Sequence, residues 1–184
     1  MKKTLIIICM LPLIMGLRSI EFKGYKDPDF LDYKIGSAIL CFGSTTMVLE
    51  DSFIKSFSKQ KSTKNLNWKT CDDVYPPTRE WDPDSRNALA LKNGFTSMIG
   101  VGIDFAVTND STGTYYNDGI AISSPLSSQS EYEIIIYDFE SQRKVWVAKV
   151  GVVNRGTFFA GNAKGEAKAL AKRLAKELQK ASLL

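Results

Sequence analysis

Tyr132-Glu-Ile-Ile-Ile-Tyr-Asp-Phe139, followed after a short break by Lys144-Val-Trp-Val-Ala-Lys-Val-Gly-Val-Val153, is the stretch that decides the fold. In the first run Tyr132, Ile134, Ile136 and Asp138 fall on one side. Glu133, Ile135, Tyr137 and Phe139 fall on the other, the two-residue period of a strand. The second run is again rich in β-branched and aromatic residues. The turn around Ser141-Gln-Arg143 is short enough to return the chain antiparallel. A hairpin of this length needs further strands and a covering layer to hide its apolar side.

The covering layer is legible on the C-terminal side. Asn162 can cap a helix in which Ala163, Ala167, Leu170, Ala171, Leu174 and Leu178 form one apolar stripe. Lys164, Lys168, Lys172, Arg173, Lys176 and Lys180 cover the other side, offset by Glu166 and Glu177. Such a face could meet anionic lipid or an acidic partner, although a solvated lysine face is the commoner outcome.

Earlier in the chain, strand and helix signals alternate. Tyr33 to Phe42 is nearly continuous in apolar residues and reads as a strand buried on both faces. Thr45 or Thr46 then caps a helix carrying Leu49, Phe53, Ile54 and Phe57 toward the core. A polar loop, Ser58 to Asn65, leads to a short strand over Leu66 to Cys71 with Leu66, Trp68 and Thr70 on one face. The prolines of Asp72-Asp-Val-Tyr-Pro-Pro-Thr-Arg-Glu-Trp81 make that segment a rigid connector. Asp82 caps a helix with Pro83 at its first position, and Asn93-Gly94 ends it. Phe95 to Val107 reads as a long strand, 108–119 as a polar loop, 120–122 as a brief strand, and 123–130 as a second loop. The sum is an α+β fold: a mixed sheet of four to six strands with about three helices packed mainly on one face.

At the N-terminus, Lys2 and Lys3 precede the apolar run Leu5 to Met15, and Gly16 and Ser19 offer cut sites. This is the layout of a secretory signal, and the run is too short for a lasting membrane span. The expected organisation is a signal peptide over 1–19, an extended arm over 20–32 and a single domain over 33–184. The compartment is then the periplasm or the exterior of a bacterial envelope. Without Lys2, Lys3 and Arg18, the 24 basic residues fall to 21 against 20 acidic ones. A domain of net charge +1 has no general case for nucleic acid.

Histidine is absent. That excludes Ser-His-Asp and Cys-His nucleophiles and histidine-ligated metals, and no cofactor or metal motif stands elsewhere. Asn109-Asp-Ser111 and Asn117-Asp-Gly119 lack the spacing of a calcium loop. The chemistry left open is a carboxylate pair, with Asp104 and Asp138 as candidates in strand-like runs. Cys41 and Cys71 form an even pair once the leader is gone, and an oxidising compartment would allow them to bridge. The alternative for Cys41 is a small buried hydrophobe. For binding, Tyr75, Arg79 and Trp81 are the residues of choice, because aromatic and arginine side chains carry disproportionate contact energy.

The leader, Tyr33-Lys-Ile35, Tyr75-Pro-Pro-Thr-Arg79, Ile134-Ile-Ile-Tyr-Asp138, Lys144-Val-Trp146 and the helix ending at Leu183-Leu184 together carry a resemblance. Over about residues 25–184 the chain resembles small bacterial envelope lipoproteins of unknown function. Those are similar in fold to the amino-terminal domain of the Tol translocation protein and to activators of penicillin-binding proteins. The resemblance implies an α+β domain that binds other envelope proteins and has no active site. The chain departs from the lipoprotein pattern at Cys9, which lies inside the apolar run with six residues before Gly16 and is badly placed for a lipid. The expected function is an exported, non-enzymatic binding or accessory module. The alternatives are a small carboxylate enzyme and a peripheral membrane protein using the lysine-rich helix.

Overall fold

The hairpin sits at the centre of a six-stranded mixed sheet. The computed structural model describes residues 18–43, 46–109, 114–117, 120–123, 127–155 and 163–184. The strands are β1 (Arg18–Lys26), β2 (Ser37–Phe42), β3 (Asn67–Thr70), β4 (Ser97–Asn109), β5 (Thr114–Asn117), β6 (Ile120–Ser123), β7 (Ser127–Asp138) and β8 (Arg143–Arg155). The helices are α1 (Met47–Phe57), α2 (Cys71–Val74), α3 (Pro83–Lys92) and α4 (Ala163–Lys180). The large sheet has the order β1-β8-β7-β4-β2-β3, and β5 pairs with β6 separately. β2 runs parallel to β3 and β4; the other pairings in the large sheet are antiparallel.

The α+β reading holds, with one refinement of the layers. From β2 the chain crosses through α1 to β3 on one side, then returns past β2 through α2 and α3 to β4. Parallel crossovers are right-handed, so reversing direction along the sheet moves the connecting helices to the opposite face. The two long helices, α1 and α4, therefore share one face, and the short α2 and α3 lie on the other. The main core lies under α1 and α4. Ala38, Leu40, Ile99, Val101, Ile134, Ile136, Ala148 and Val150 from the strands meet Phe53, Phe57, Leu170, Leu174 and Leu178 from the helices. A smaller core, Ile39, Val74, Tyr75, Ala90, Phe95 and Phe139, lies under α2 and α3.

Several local expectations are corrected. The segment read as an arm is extended, but residues 18–26 form edge strand β1, paired antiparallel with β8 from Arg18↔Asn154 to Lys26↔Trp146. Ile20 and Phe22 turn to the main core while Glu21, Lys23 and Tyr25 face solvent. The Lys26 ammonium donates to the carbonyls of Leu31 (2.7 Å), Tyr33 (3.3 Å) and Ala181 (3.2 Å), so it closes the next turn and the end of α4 together. Thr46 precedes α1, but its hydroxyl donates to the Gly43 carbonyl at 2.7 Å instead of capping the helix. Thr45, Asn162 and the leader with Cys9 lie outside the described residues.

Cys71 starts α2 and does not end a strand. Thr70 caps that turn in a reciprocal box with Asp73. The expected polar loop over 108–119 contains β5, and β7 begins at Ser127, inside the loop expected over 123–130. α3 begins as expected, with Asp82 accepting from the Ser85 amide at 2.9 Å and Pro83 in the first turn. Gly94, at φ +77°, makes the left-handed stop. Among the described residues no helix is long and apolar enough to cross a membrane.

Candidate binding cleft

α2, the Pro76–Trp81 connector and α3 cover only one end of the sheet face opposite α1 and α4. Where they meet the sheet they leave an open cleft of about 280–290 Å³ in each of two adjoining hollows. The first is lined by Cys71, Tyr75, Trp81, Pro83, Arg86, Asn87, Met98, Tyr137 and Phe139. The second runs on past Met98 to Cys41, Gly43, Gly100, Gly102, Glu133 and Ile135. The glycines leave the furrow open: a side chain at Gly100 would meet Ile135 Cγ1 at 2.9 Å.

Cys41 and Cys71 are bridged, with Cα atoms 4.8 Å apart, and each lines one hollow. The bridge is therefore the ridge between them, and it ties the first residue of α2 to β2. Both sulfurs belong to half-buried residues.

The three residues singled out for binding come together, but not as one exposed patch. Tyr75 is buried, and its hydroxyl donates to the Arg86 carbonyl at 3.2 Å. Burial pushes its hydroxyl up to about 12. Trp81 is half-buried. Its ring packs edge-on to Tyr75 at 5.8 Å, and its Nε1–H donates to the Pro76 carbonyl at 3.0 Å. Arg79 is exposed, with its guanidinium 3.4 Å above the Trp81 ring, a cation–π stack. The arginine thus lies on the indole.

Tyr137 and Phe139 supply the opposite wall, their rings 5.8 Å apart, and Asn87 Nδ2 lies 3.4 Å from the Tyr137 hydroxyl. These two aromatics were visible in the sequence as same-side neighbours in the alternation of β7. What the sequence lacked was the knowledge that their side of the sheet stays partly open. Arg86, Asn87 and Met98 carried no separate signal.

The carboxylate pair fails. Asp138 stands opposite Ser97 in the β4–β7 ladder, and Asp104 lies seven residues further along β4. At the rise of a strand this separates them by about 20 Å. Paired carboxylates in glycosidase chemistry work within about 10 Å. Asp138 is also buried. It accepts from the Tyr33 hydroxyl at 3.1 Å and the Ser141 amide at 2.8 Å, so it serves to join β7 to the chain before β2. Glu166, counted as offsetting the lysines of α4, is buried instead. It accepts from the Tyr132 hydroxyl and from Asn154 Nδ2, the latter at 2.7 Å.

No family model and no curated protein matches the chain. Solved structures do match in fold. A PelC dodecamer from Paraburkholderia phytofirmans, in a form carrying one substitution, superposes with a TM-score of 0.50 at 8% identity, covering 86% of this chain and 98% of that one. Lipoprotein GNA1162 from Neisseria meningitidis matches at a TM-score of 0.44 and 9% identity, covering 78% and 99%. Protein XCC0632 from Xanthomonas campestris, of family DUF330, matches at 0.46 and 9%, covering 85% and 90%. At these identities what the chain shares with PelC is the fold.

Proposed function

We propose that the chain is an exported, non-enzymatic binding module of a bacterial envelope, and that it engages another envelope protein through the cleft beside Trp81. The observation that carries this reading is the wall of Tyr75, Trp81, Tyr137 and Phe139 around an open hollow, with Arg79 stacked at its rim. Aromatic and arginine side chains are the residues that dominate binding energy at protein contacts. A hollow of this size admits one or two side chains of a partner and falls at the lower end of what a small molecule or cofactor needs. The leader and the resemblance to envelope lipoproteins, with its likeness to the Tol domain and penicillin-binding-protein activators, support the compartment and the class of partner. A further copy of the chain belongs to that class too, since PelC, of this fold, is a dodecamer.

The test is crosslinked capture from the native envelope with the parent chain and with Trp81→Ala and Arg79→Ala. Both variants are expected to keep the fold, by circular dichroism, and to lose the captured partner about tenfold or more. Undiminished capture by Trp81→Ala would sink the cleft as the contact.

A further inference from the structure

The side of α4 turned away from the core is almost wholly lysine. Its exposed residues are Lys164, Lys168, Lys172, Lys176, Gln179 and Lys180, while Ala167, Leu170, Ala171, Leu174, Ala175 and Leu178 are buried. At one lysine per four residues the row follows the helix for about 24 Å. The acidic residues offset only its C-terminal end. Glu166 is turned into the core, and Glu177, at 14% side-chain exposure, is held by Arg173 at 3.0 Å and lies 3.9 Å from Lys180. Among the described residues, Lys164, Lys168, Lys172 and Lys176 make no ion pair.

The polar loop after α1 adds to this face. The Ser62 hydroxyl of that loop donates to the Ala175 carbonyl at 3.3 Å, and Ser56, at the end of α1, donates to the Lys168 carbonyl at 3.1 Å. The loop bearing exposed Lys59, Lys61 and Lys64 is therefore brought alongside α4. Two basic segments more than a hundred residues apart in sequence meet at one surface. Helix electrostatics does not explain the arrangement. Lys180 and Lys176 stand toward the negative C-terminal end, but Lys164 stands in the first turn, where cations are disfavoured, and Lys168 and Lys172 lie beyond the reach of either end.

We propose that this face docks the domain on an anionic lipid bilayer. The charges are lysines, point charges suited to a diffuse layer of headgroups. Among the described residues, and apart from the paired Arg173 on its flank, the face carries none of the planar, bidentate arginines that recognise individual carboxylates or phosphates. Among the same residues it carries neither the aromatic anchors of a protein contact nor the stacking rings of a nucleic-acid site. Its position agrees. The apolar run Leu5–Met15 precedes the folded chain at Arg18, whose guanidinium donates to Asn154, which in turn donates to Glu166 in the first turns of α4. A chain still carrying its leader would therefore meet the membrane beside the start of the lysine row. This surface lies on the opposite side of the sheet from the Trp81 cleft, so both can be occupied together.

The test is co-sedimentation of the full chain with vesicles of phosphatidylethanolamine alone or with about a third phosphatidylglycerol, at low and high salt. A lysine near an anionic surface contributes about fivefold in binding. Changing Lys164→Gln, Lys168→Gln, Lys172→Gln and Lys176→Gln together is expected to lower binding to the anionic vesicles about tenfold or more. High salt should do the same to the parent. An equally neutralised control, Lys34→Gln, Lys69→Gln, Lys92→Gln and Lys144→Gln, should bind like the parent, with circular dichroism showing both variants folded. Binding through the apolar leader would be equal on the two kinds of vesicle and insensitive to salt. The proposal is overturned if the α4 variant binds like the parent, or if the control loses as much. It falls equally if the parent ignores anionic vesicles and the lysines serve only to bind an acidic polypeptide such as polyglutamate.

Discussion

The Tyr132 hydroxyl donates to the Glu166 carboxylate inside the main core, joining β7 to the first turns of α4. Tyr132 is 2% exposed and Glu166 is 6% exposed, so this carboxylate is held away from water by its partners. Asn154 completes its shell from β8 and also accepts from Arg18 at the start of β1. Four separate elements thus close on one buried carboxyl group. Removing a donor from such a group costs about 1–3 kcal/mol. Tyr132→Phe should lower the unfolding free energy by that amount, and Glu166→Ala by about 3 kcal/mol or more because it empties the centre. The double variant should cost less than the sum of the two. Urea denaturation of the four proteins measures this, and strict additivity would contradict the direct coupling.

Alkaline pH should weaken the fold. Tyr33 and Tyr75 are pushed up to about 12, chiefly by burial, and Tyr132 is raised by burial and by Glu166. Unfolded tyrosines ionise near pH 10. Between about pH 10 and 12 the unfolded chain therefore holds fewer protons than the folded one, and stability falls as pH rises. The contribution is complete below about pH 10. The urea midpoint should be flat with respect to these groups up to there and then drop. Tyr75→Phe should shallow the drop, and an unchanged slope in that variant would remove Tyr75 from the account.

The hairpin was readable because its alternation is set by one buried and one partly open face, so each residue reports its side. α3 was readable from Asp82, Pro83 and Gly94, whose backbone roles are local. The misses have equally local causes. α2 is four residues long and has no period of its own; its signal was the Thr70-x-x-Asp73 capping spacing. β5 and the start of β7 are built from Ser, Thr, Tyr, Asn and Gln, a composition that also makes loops. β1 carries Ile20 and Phe22 against Glu21 and Lys23, a true alternation, but Gly24 and the nearby Asp27-Pro28 masked it. The cleft was half legible. Tyr75, Arg79 and Trp81 stood out by residue type, whereas their far wall depends on the crossover that puts α2 and α3 opposite α1.

The Cys41–Cys71 bridge closes a sequence separation of 30 residues. In the chain-entropy model a loop of that size contributes about 3–4 kcal/mol. The paired change Cys41→Ala and Cys71→Ala should lower stability by up to that amount. It should also free the start of α2, so amide hydrogen exchange over Cys71–Val74 should quicken. The unreduced denatured protein should show no thiol from Cys41 or Cys71. Thiol titration and urea unfolding are the measurements, and two reactive thiols from this pair would contradict the bridge.

Arg18 makes a further demand, on processing. Its pairing with Asn154 is the first rung of β1 and part of the shell around Glu166. A cut after Ser19 would discard it, while a cut after Gly16 keeps it. If the chain is exported as proposed, its mature form should therefore begin before Arg18, and intact-mass measurement on the processed protein reads this directly. A mature chain starting at Ile20 would show that the fold does not need this rung.

Gly24 is required by its neighbour and not by its backbone angle. A Cβ built there would lie 2.7 Å from Trp146 Cζ2 and 3.0 Å from Cε2. Trp146 is 3% exposed, packed against Phe22 at 6.0 Å, so the indole has no room to swing outward. The strain must then be taken by the β1–β8 pairing, which holds through Gly24↔Ala148. Gly24→Ala should cost about 1–3 kcal/mol, the usual range for overpacking. Hydrogen exchange should quicken along β1 first, since an edge strand can detach without opening the centre of the sheet. The same substitution at Gly151, where no atom lies within 4 Å of the added carbon, should be nearly neutral. Equal effects at the two positions would mean that contact with Trp146 is not what reserves Gly24 for glycine.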